Sequence, residues 1–225
     1  MTKIAFIPAR SGSQRFPKKN YQDFYMGYNL SKIMALKCIN SLQFDRIVVT
    51  SDDINFFDDW TDDKWNNIEF YHREVKYATS EASVDMVMTH LFENFECDQA
   101  FFMINMNPFQ TKDDITSCVE ALESADTVIP VNKMQKQAIF KGSPINYDPK
   151  VPHAQTQDLE PYYQWSYSTF GWKRSSYLNA KSKGHTGMLV GDVAYPEVSY
   201  KASFAIKTES DFNFYKSIAS YTNLF

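Results

Sequence analysis

Glycine and cysteine are scarce in this chain, and long apolar runs are missing. The 225 residues include seven glycines and three cysteines. The cysteines, Cys38, Cys97 and Cys118, are far apart, so the sequence predicts neither a metal-binding cysteine pair nor a disulfide framework and favours a reducing compartment. No stretch is apolar enough to cross a bilayer, and the first residues lack the apolar core of a signal peptide. We therefore expect a cytoplasmic protein with no membrane partner.

A net positive charge is also missing. The formal charge is -4, whereas nucleic acid polymers are bound through broad basic surfaces, so we do not expect a nucleic acid partner. Hydrophobic residues make up 44% of the chain, which is enough for one substantial core at this length. We predict a single domain over residues 1–225 whose anionic ligand is small.

Strand-like and helix-like segments alternate along most of the chain. We predict strands over 3–8, 46–51, 69–72, 99–105, 127–131, 168–172 and 203–207, and helices over 30–42, 83–95, 112–124 and 209–221. A helix between two successive strands favours a right-handed crossover, which connects parallel strands. The sequence therefore predicts an α/β fold with a mostly parallel sheet. Residues 140–168 lose the periodicity and contain four prolines, so we expect a protruding lid or dimer arm there.

A basic loop follows the first predicted strand. Residues 9–20 read ARSGSQRFPKKN, which combines small residues with several cations at the end of a buried strand. The backbone N–H groups of Ser11, Gly12 and Ser13 could hold an anion, and the cations could offset phosphate charge. Judged by charge alone, a solvated surface loop is the simpler interpretation, because neither the Walker sequence nor G-x-G-x-x-G is present.

The order of the residues in this loop favours the functional interpretation. Residues 7–20, IPARSGSQRFPKKN, resemble the N-terminal signature of sugar cytidylyltransferases. These are the CMP-sialic acid synthetases and their bacterial relatives acting on pseudaminic, legionaminic and 3-deoxy-octulosonic acids. The resemblance implies a three-layer, Rossmann-like fold of the nucleotide-diphospho-sugar transferase type. It also implies a homodimer that activates an acidic 2-keto sugar with CTP, giving a CMP-sugar and pyrophosphate.

Further matches follow in chain order and carry the implied site residues. The nucleotide would be bound by Ala9, Arg10, Ser11, Gly12, Ser13, Asn20, Arg73 and Ser83. Arg10, Arg15 and Lys19 would act on the phosphates during catalysis. The acceptor sugar would be bound by Asn105, Asn107, Gln157, Tyr163 and Ser166. For Ser83, and for Asp52 in the strand end VVTSDD (48–53), a helix N-cap is an equally open interpretation.

Several positions depart from the family pattern. Gln14 replaces a common lysine, and Ile104 replaces a glutamine. The family sequence D-I-D-T-E-x-D, whose first two carboxylates hold Mg²⁺, reads AIKTESD at 205–211. Mg²⁺ needs oxygen ligands, which Ala205 and Lys207 cannot supply, so we predict no metal ligands and a catalytic ammonium at Lys207.

These departures leave two alternatives open. One is a non-catalytic relative that binds a nucleotide or sugar, or that serves as a scaffold subunit. The other is a cytidylyltransferase with a different acceptor.

Overall fold

The structure, a computed structural model, describes residues 1–152, 155–222 and 224. Residues 153 and 154 of the predicted arm therefore lie outside the described residues. The strands are β1 (Lys3–Pro8), β2 (Arg46–Ser51), β3 (Ile68–His72), β4 (Gln99–Met103), β5 (Thr127–Val128), β6 (Val131–Met134), β7 (Ile139–Phe140), β8 (Ser143–Pro144), β9 (Tyr162–Trp165), β10 (Thr169–Lys173) and β11 (Val193–Ala194). The α-helices are α1 (Leu30–Ser41), α2 (Val84–Asn94), α3 (Lys112–Ser124), α4 (Arg174–Ser182) and α5 (Glu209–Ala219).

A seven-stranded sheet in the order β11-β5-β10-β4-β1-β2-β3 forms the centre of the fold. Strands β1 to β4 pair in parallel. Strand β10 runs antiparallel between β4 and β5. The prediction of a mostly parallel α/β sheet is confirmed. Because parallel strands share one carboxyl edge, the loops after β1, β2, β3 and β4 meet at the same end of the sheet.

Helices cover both faces of this sheet. Alternate residues of β1 point to opposite sides: Ala5 and Ile7 join a buried cluster with α1 and α3, whereas Ile4 and Phe6 join a cluster with α2 and α4. Strands buried on both faces read as continuous apolar runs rather than as alternating ones. The result is the predicted three-layer arrangement of helix, sheet and helix.

Side-chain caps determine where the helices begin. Asn29 accepts a hydrogen bond from the Lys32 N–H at the start of α1, and Ser83 does the same for α2. Helices α3 and α5 each start with a reciprocal capping box, built on Thr111 and on Thr208. Caps of this kind pair N–H groups that a helix leaves open at its first turn.

The prediction of a strand over 203–207 is wrong. Residues 200–203 form a 3-10 turn, and the following residues are irregular up to Thr208. Ile206 is fully buried, and its N–H donates to the Met106 carbonyl at 2.9 Å. The apolar side chains of this stretch pack against α5. Hydrophobicity therefore indicated burial here, and it did not indicate a strand.

The predicted arm contains short strands that lie apart from the central sheet. Strands β7 and β8 form a small hairpin, and β9 pairs antiparallel with β6. The side chains of Ile139, Phe140, Ile145 and Val151 are exposed there. Among the described residues, no helix is long and apolar enough to cross a membrane.

Candidate active site

A cavity of about 510 Å³ opens at the carboxyl edge of the parallel strands. It is lined by the loop after β1, the segments after β3 and β4, the start of α2, and residues near 167 and 207. Ligands of open α/β sheets bind in this position. The lining residues are Pro8, Arg10, Ser13, Gln14, Arg15, Lys19, Asn20, Arg73, Tyr77, Thr79, Ser80, Ala82, Val84, Val87, Phe102, Ile104, Asn105, Met106, Tyr167, Phe170 and Lys207.

The charged side chains among the described residues that line the cavity all carry the same sign. Of its described lining residues, five are cationic and none is acidic. A concave surface with one sign of charge concentrates ions of the opposite sign. The cavity is therefore suited to a small ligand with several negative charges. The cationic residues are Arg10, Arg15, Lys19, Arg73 and Lys207.

The basic loop is attached to the rest of the fold at several points. The Ala9 N–H donates to the Thr50 carbonyl at 2.8 Å. The Asn20 side-chain amide donates to the Arg10 carbonyl at 2.8 Å, and Arg10 Nη1 donates to the Thr79 carbonyl at 2.9 Å. A loop held in this way keeps its charged groups pointed at the cavity without a ligand, which lowers the cost of ordering them on binding.

Ser11 has a different role from the one the sequence predicts. Its N–H and hydroxyl donate to the Asp52 carboxylate at 2.8 and 2.5 Å. Ala9, Ser11 and Gly12 are absent from the cavity lining, whereas Ser13 is part of it. The predicted anion-holding trio is therefore incomplete, because the Asp52 carboxylate already accepts its first donor, the Ser11 N–H.

Lys19 connects the basic loop to the C-terminal segment. Its Nζ donates to the Ile206 carbonyl at 2.8 Å. Burial, together with the neighbouring Arg15 and Arg10 cations, lowers the pKa of Lys19 to about 8. The lost solvation and the like charges both disfavour the ammonium. Lys207 follows Ile206 directly; it is exposed and lines the cavity.

Arg73 lies deepest among the cations. It is only 2% exposed, and its Nε is buried without a hydrogen-bond partner among the described residues. Burial lowers the pKa of Arg73 to about 10, against the opposing effect of the Asp52 charge. A buried, unpaired guanidinium N–H is costly, and the Arg73 side chain forms part of the cavity wall.

The predicted acceptor residues divide into three groups. Asn105 lines the cavity and donates to Asn20 Oδ1 at 3.2 Å and to Ser31 Oγ at 2.8 Å. Asn107 and Ser166 are fully buried and turned inward: Asn107 donates to the Tyr167 carbonyl, and Ser166 to the Ser168 hydroxyl. Gln157 and Tyr163 lie on the arm, outside the cavity lining.

Ser83 is also outside the cavity lining. Its hydroxyl accepts the Met86 N–H at 3.2 Å and so caps α2. Of the two interpretations that the sequence allows for Ser83, the structure favours the cap. The other residue with two interpretations, Asp52, does not cap a helix; the cap of the next 3-10 turn is Asp53.

Aromatic and aliphatic lining residues were not predicted as part of the site. Tyr77 stacks on His90 with the ring centroids 4.1 Å apart, and Tyr167 packs against Phe170 at 5.7 Å. Met106 and Ile104 line the same cavity. Apart from Ile104, which occupies the position of a family glutamine, no charge or motif indicates these residues, and only their position after β3 or β4, or beside β10, could have indicated them.

The C-terminal segment does not fit a bound Mg²⁺. Ala205 and Lys207 offer no oxygen ligand from their side chains. The Asp211 carboxylate already accepts the Lys207 and Thr208 N–H groups at 3.0 and 2.8 Å, at the start of α5. Among the described residues, no group of three or more His, Cys, Asp or Glu side chains is arranged to hold a metal ion.

Comparison with known proteins gives a family match over most of the chain. The family model described as "Cytidylyltransferase" matches residues 4–187. Two pseudaminic acid cytidylyltransferases from Campylobacter jejuni, serotypes O:2 and O:23/36, are 43% and 45% identical to the chain over 53 residues. That stretch is 24% of this chain and 22% of each relative, so the match spans about a fifth of the length of these curated relatives.

Solved structures share the fold over nearly the whole chain. CMP:2-keto-3-deoxy-manno-octonic acid synthetase, solved in complex with CTP, has a TM-score of 0.69 and 11% identity, covering 98% of this chain and 99% of that one. A 2-C-methyl-D-erythritol 4-phosphate cytidylyltransferase from Thermus thermophilus has a TM-score of 0.62 and 14% identity, covering 98% and 100%. These similarities show a Rossmann-like nucleotidyltransferase fold.

Proposed function

Because this chain belongs to the cytidylyltransferase family, we propose that it transfers a cytidylyl group from CTP to an acidic 2-keto sugar. The observation that carries the proposal is the cavity at the carboxyl edge of the sheet, which five cations and no carboxylate line among the described residues. A triphosphate and a sugar carboxylate together supply the negative charge that such a cavity favours. A similar fold solved with CTP adds support for the nucleotide.

The proposed reaction is a displacement at phosphorus. The anomeric hydroxyl oxygen of the sugar attacks the α-phosphorus of CTP, the bond from this phosphorus to the bridging oxygen breaks, and pyrophosphate leaves with that electron pair. The hydroxyl proton is released to water. The protein contributes alignment and charge neutralisation rather than covalent chemistry. Arg10, Arg15 and Lys19 would hold the phosphates, and Asn20 would fix the backbone at Arg10.

The ammonium of Lys207 would take the place of the metal ion in this reaction. Two hydrogen bonds hold the segment before Lys207. The Ile206 N–H donates to the Met106 carbonyl, and the Ile206 carbonyl accepts from Lys19 Nζ. We propose that this ammonium places one positive charge beside the triphosphate or the sugar carboxylate.

Titration calorimetry and pyrophosphate release together test the function. CTP is titrated with and without Mg²⁺, with CDP, UTP and ATP as controls, and pyrophosphate is then measured with candidate keto-sugar acids. Selective CTP binding with sugar-dependent pyrophosphate release is the expected result. An absence of nucleotide binding would refute the assignment of the basic loop.

A second candidate, nucleotide binding without turnover, is favoured by one specific observation. No carboxylate among the described residues lines the cavity, whereas a general base or a metal ligand for turnover would have to reach into it. CTP binding without pyrophosphate release across keto-sugar acids, sugars and polyols would support this candidate. Release with an acceptor that lacks a carboxylate would instead support a cytidylyltransferase with a different acceptor.

The affinity for CTP should decrease as the pH rises above about 8, the pKa of Lys19 in the free protein. Bound phosphate favours the ammonium and raises this pKa, so binding above pH 8 requires proton uptake. We expect the dissociation constant to increase by up to about tenfold per pH unit between pH 8 and 9.5. The Lys19→Arg variant keeps its charge in this range and should show a much flatter profile. Equal slopes for the two proteins would exclude Lys19 as the titrating group.

The exposed arm is proposed as a homodimer interface. Ile139 and Phe140 are 65% and 64% exposed, and neighbouring exposed apolar groups of this kind mark association surfaces. The Phe140→Asp variant should shift a dimer to a monomer in light scattering coupled to size-exclusion chromatography. Ile54→Asp, at 59% exposure elsewhere, is the matched control. Gln157 and Tyr163 lie on this arm, so in the proposed dimer they are candidates for contact with the partner's cavity.

A further inference from the structure

Asp52 lies directly behind the basic loop without entering the cavity. It follows β2, and its carboxylate accepts both the N–H and the hydroxyl of Ser11. It is not among the residues that line the cavity. Hydrogen bonds to a charged acceptor are stronger than neutral ones. Ser11 lies between Arg10 and Ser13 in the chain, and both of these residues line the cavity. The hydrogen bonds that hold Ser11 therefore also restrict the backbone of these two lining residues.

Asp52 also acts electrostatically on the deepest cation of the site. The Arg73 N–H donates to the Ser51 carbonyl at 2.8 Å, which fixes the backbone of Arg73 beside the end of β2. The Asp52 charge favours the protonated form of Arg73, whose pKa burial lowers to about 10. No hydrogen bond joins the two side chains among the described residues, so the influence is through charge. Arg73 itself lines the cavity.

We propose that Asp52 is a positioning residue, which holds the basic loop through Ser11 in the conformation that receives the nucleotide and whose negative charge stabilises the buried guanidinium of Arg73. The nucleotide part of this inference rests on the proposed function, whereas the part about the loop does not. Asp52 acts through other residues and touches no phosphate.

The Asp52→Asn variant tests this inference because it keeps the shape of the side chain and removes its charge. In the nucleotide-free protein, we expect amide hydrogen exchange in residues 9–15 to accelerate about tenfold or more, since Ser11 loses its charged acceptor. The dissociation constant and KM for CTP should rise by about tenfold, with a smaller change in kcat and only a small decrease in the urea midpoint. Asp58→Asn, which removes the same charge from an exposed position nearby, should leave all these values within about twofold.

A double variant separates positioning from a general loss of structure. If Asp52 acts through Ser11, the double variant Asp52→Asn, Ser11→Ala should lose much less CTP affinity than the sum of the losses in the two single variants. Asp52→Glu, which restores the charge, should recover part of the affinity.

Two results would overturn the inference. One is unchanged exchange and unchanged CTP affinity in Asp52→Asn. The other is tighter CTP binding, because it would mean that the carboxylate competes with phosphate for Ser11. If the wild-type protein neither binds CTP nor releases pyrophosphate, the proposed function fails, and the exchange measurement still decides whether Asp52 holds the loop.

Discussion

The Arg10→Ala variant is expected to lose about a thousandfold in kcat/KM, which corresponds to roughly 4 kcal/mol of transition-state stabilisation. Arg10 lines the cavity and its guanidinium is steered by the Thr79 carbonyl at 2.9 Å. Charge develops on the α-phosphate and on the leaving pyrophosphate as the bond breaks. A fixed, planar cation with several donors stabilises this charge better than a mobile one. Pyrophosphate release under single-turnover conditions measures the loss.

Two further variants show whether this effect is specific to the guanidinium. Arg10→Lys keeps the charge without the paired donors and should recover only part of the rate. Lys18→Ala removes an exposed cation of the same loop that does not line the cavity, and it should retain nearly full activity. The Asn20 contact is to the Arg10 backbone carbonyl, so the loop should stay folded in Arg10→Ala. Equal losses in Arg10→Ala and Lys18→Ala would show that only the net charge of the loop matters.

The central sheet was predictable because its signals are local. The strands at 3–8 and 46–51 and the helix at 112–124 have the bounds that the sequence predicts. Apolar runs, a capping residue such as Thr111, and the crossover rule act over short distances. The antiparallel direction of β10 was not predictable in the same way, because it depends on the long return of the chain through the arm.

Other elements of the fold were missed or assigned wrongly for physical reasons. Helix α4 buries only Tyr177, so it has little apolar periodicity. Strand β11 has two residues, too few for a pattern. The predicted strand 127–131 is divided between β5 and β6, since Pro130 has no N–H for a ladder.

Residues of the candidate site could be predicted from the sequence where their charge indicated a role. They could not be predicted where the direction of the side chain decides whether a residue reaches the cavity. Arg10, Arg15, Lys19, Arg73 and Lys207, which the sequence predicts as site residues, all line the cavity, and their roles toward a ligand stay predictions. Asn107 and Ser166 are polar, but their side chains point inward, because the buried turn around Tyr167 needs hydrogen-bond partners. A sequence records that a side chain is polar, and it does not record which way that side chain faces.

Replacement of Lys207 with alanine is expected to lower kcat by about a hundredfold, since removing one preorganised charge from a transition state costs roughly 2.7 kcal/mol. The physical reason lies in the segment around it, where Ala205 and Lys207 replace the two carboxylates that hold Mg²⁺ in the family it resembles. Lys201→Ala, an exposed lysine on the same segment that is not among the residues lining the active-site cavity, is the control and should keep full activity.

Measuring how the activities of the wild-type protein and of one double variant depend on Mg²⁺ completes this test. If the Lys207 ammonium supplies the charge that Mg²⁺ would supply, the wild-type protein should retain most of its pyrophosphate release in EDTA. The double variant Ala205→Asp, Lys207→Asp introduces two hard oxygen ligands at these positions. It should be inactive in EDTA and regain activity with added Mg²⁺, because two carboxylates without a cation repel the triphosphate. Wild-type activity that disappears in EDTA and returns with Mg²⁺ would contradict the role of Lys207, because it would show that the cation comes from the metal rather than from this side chain.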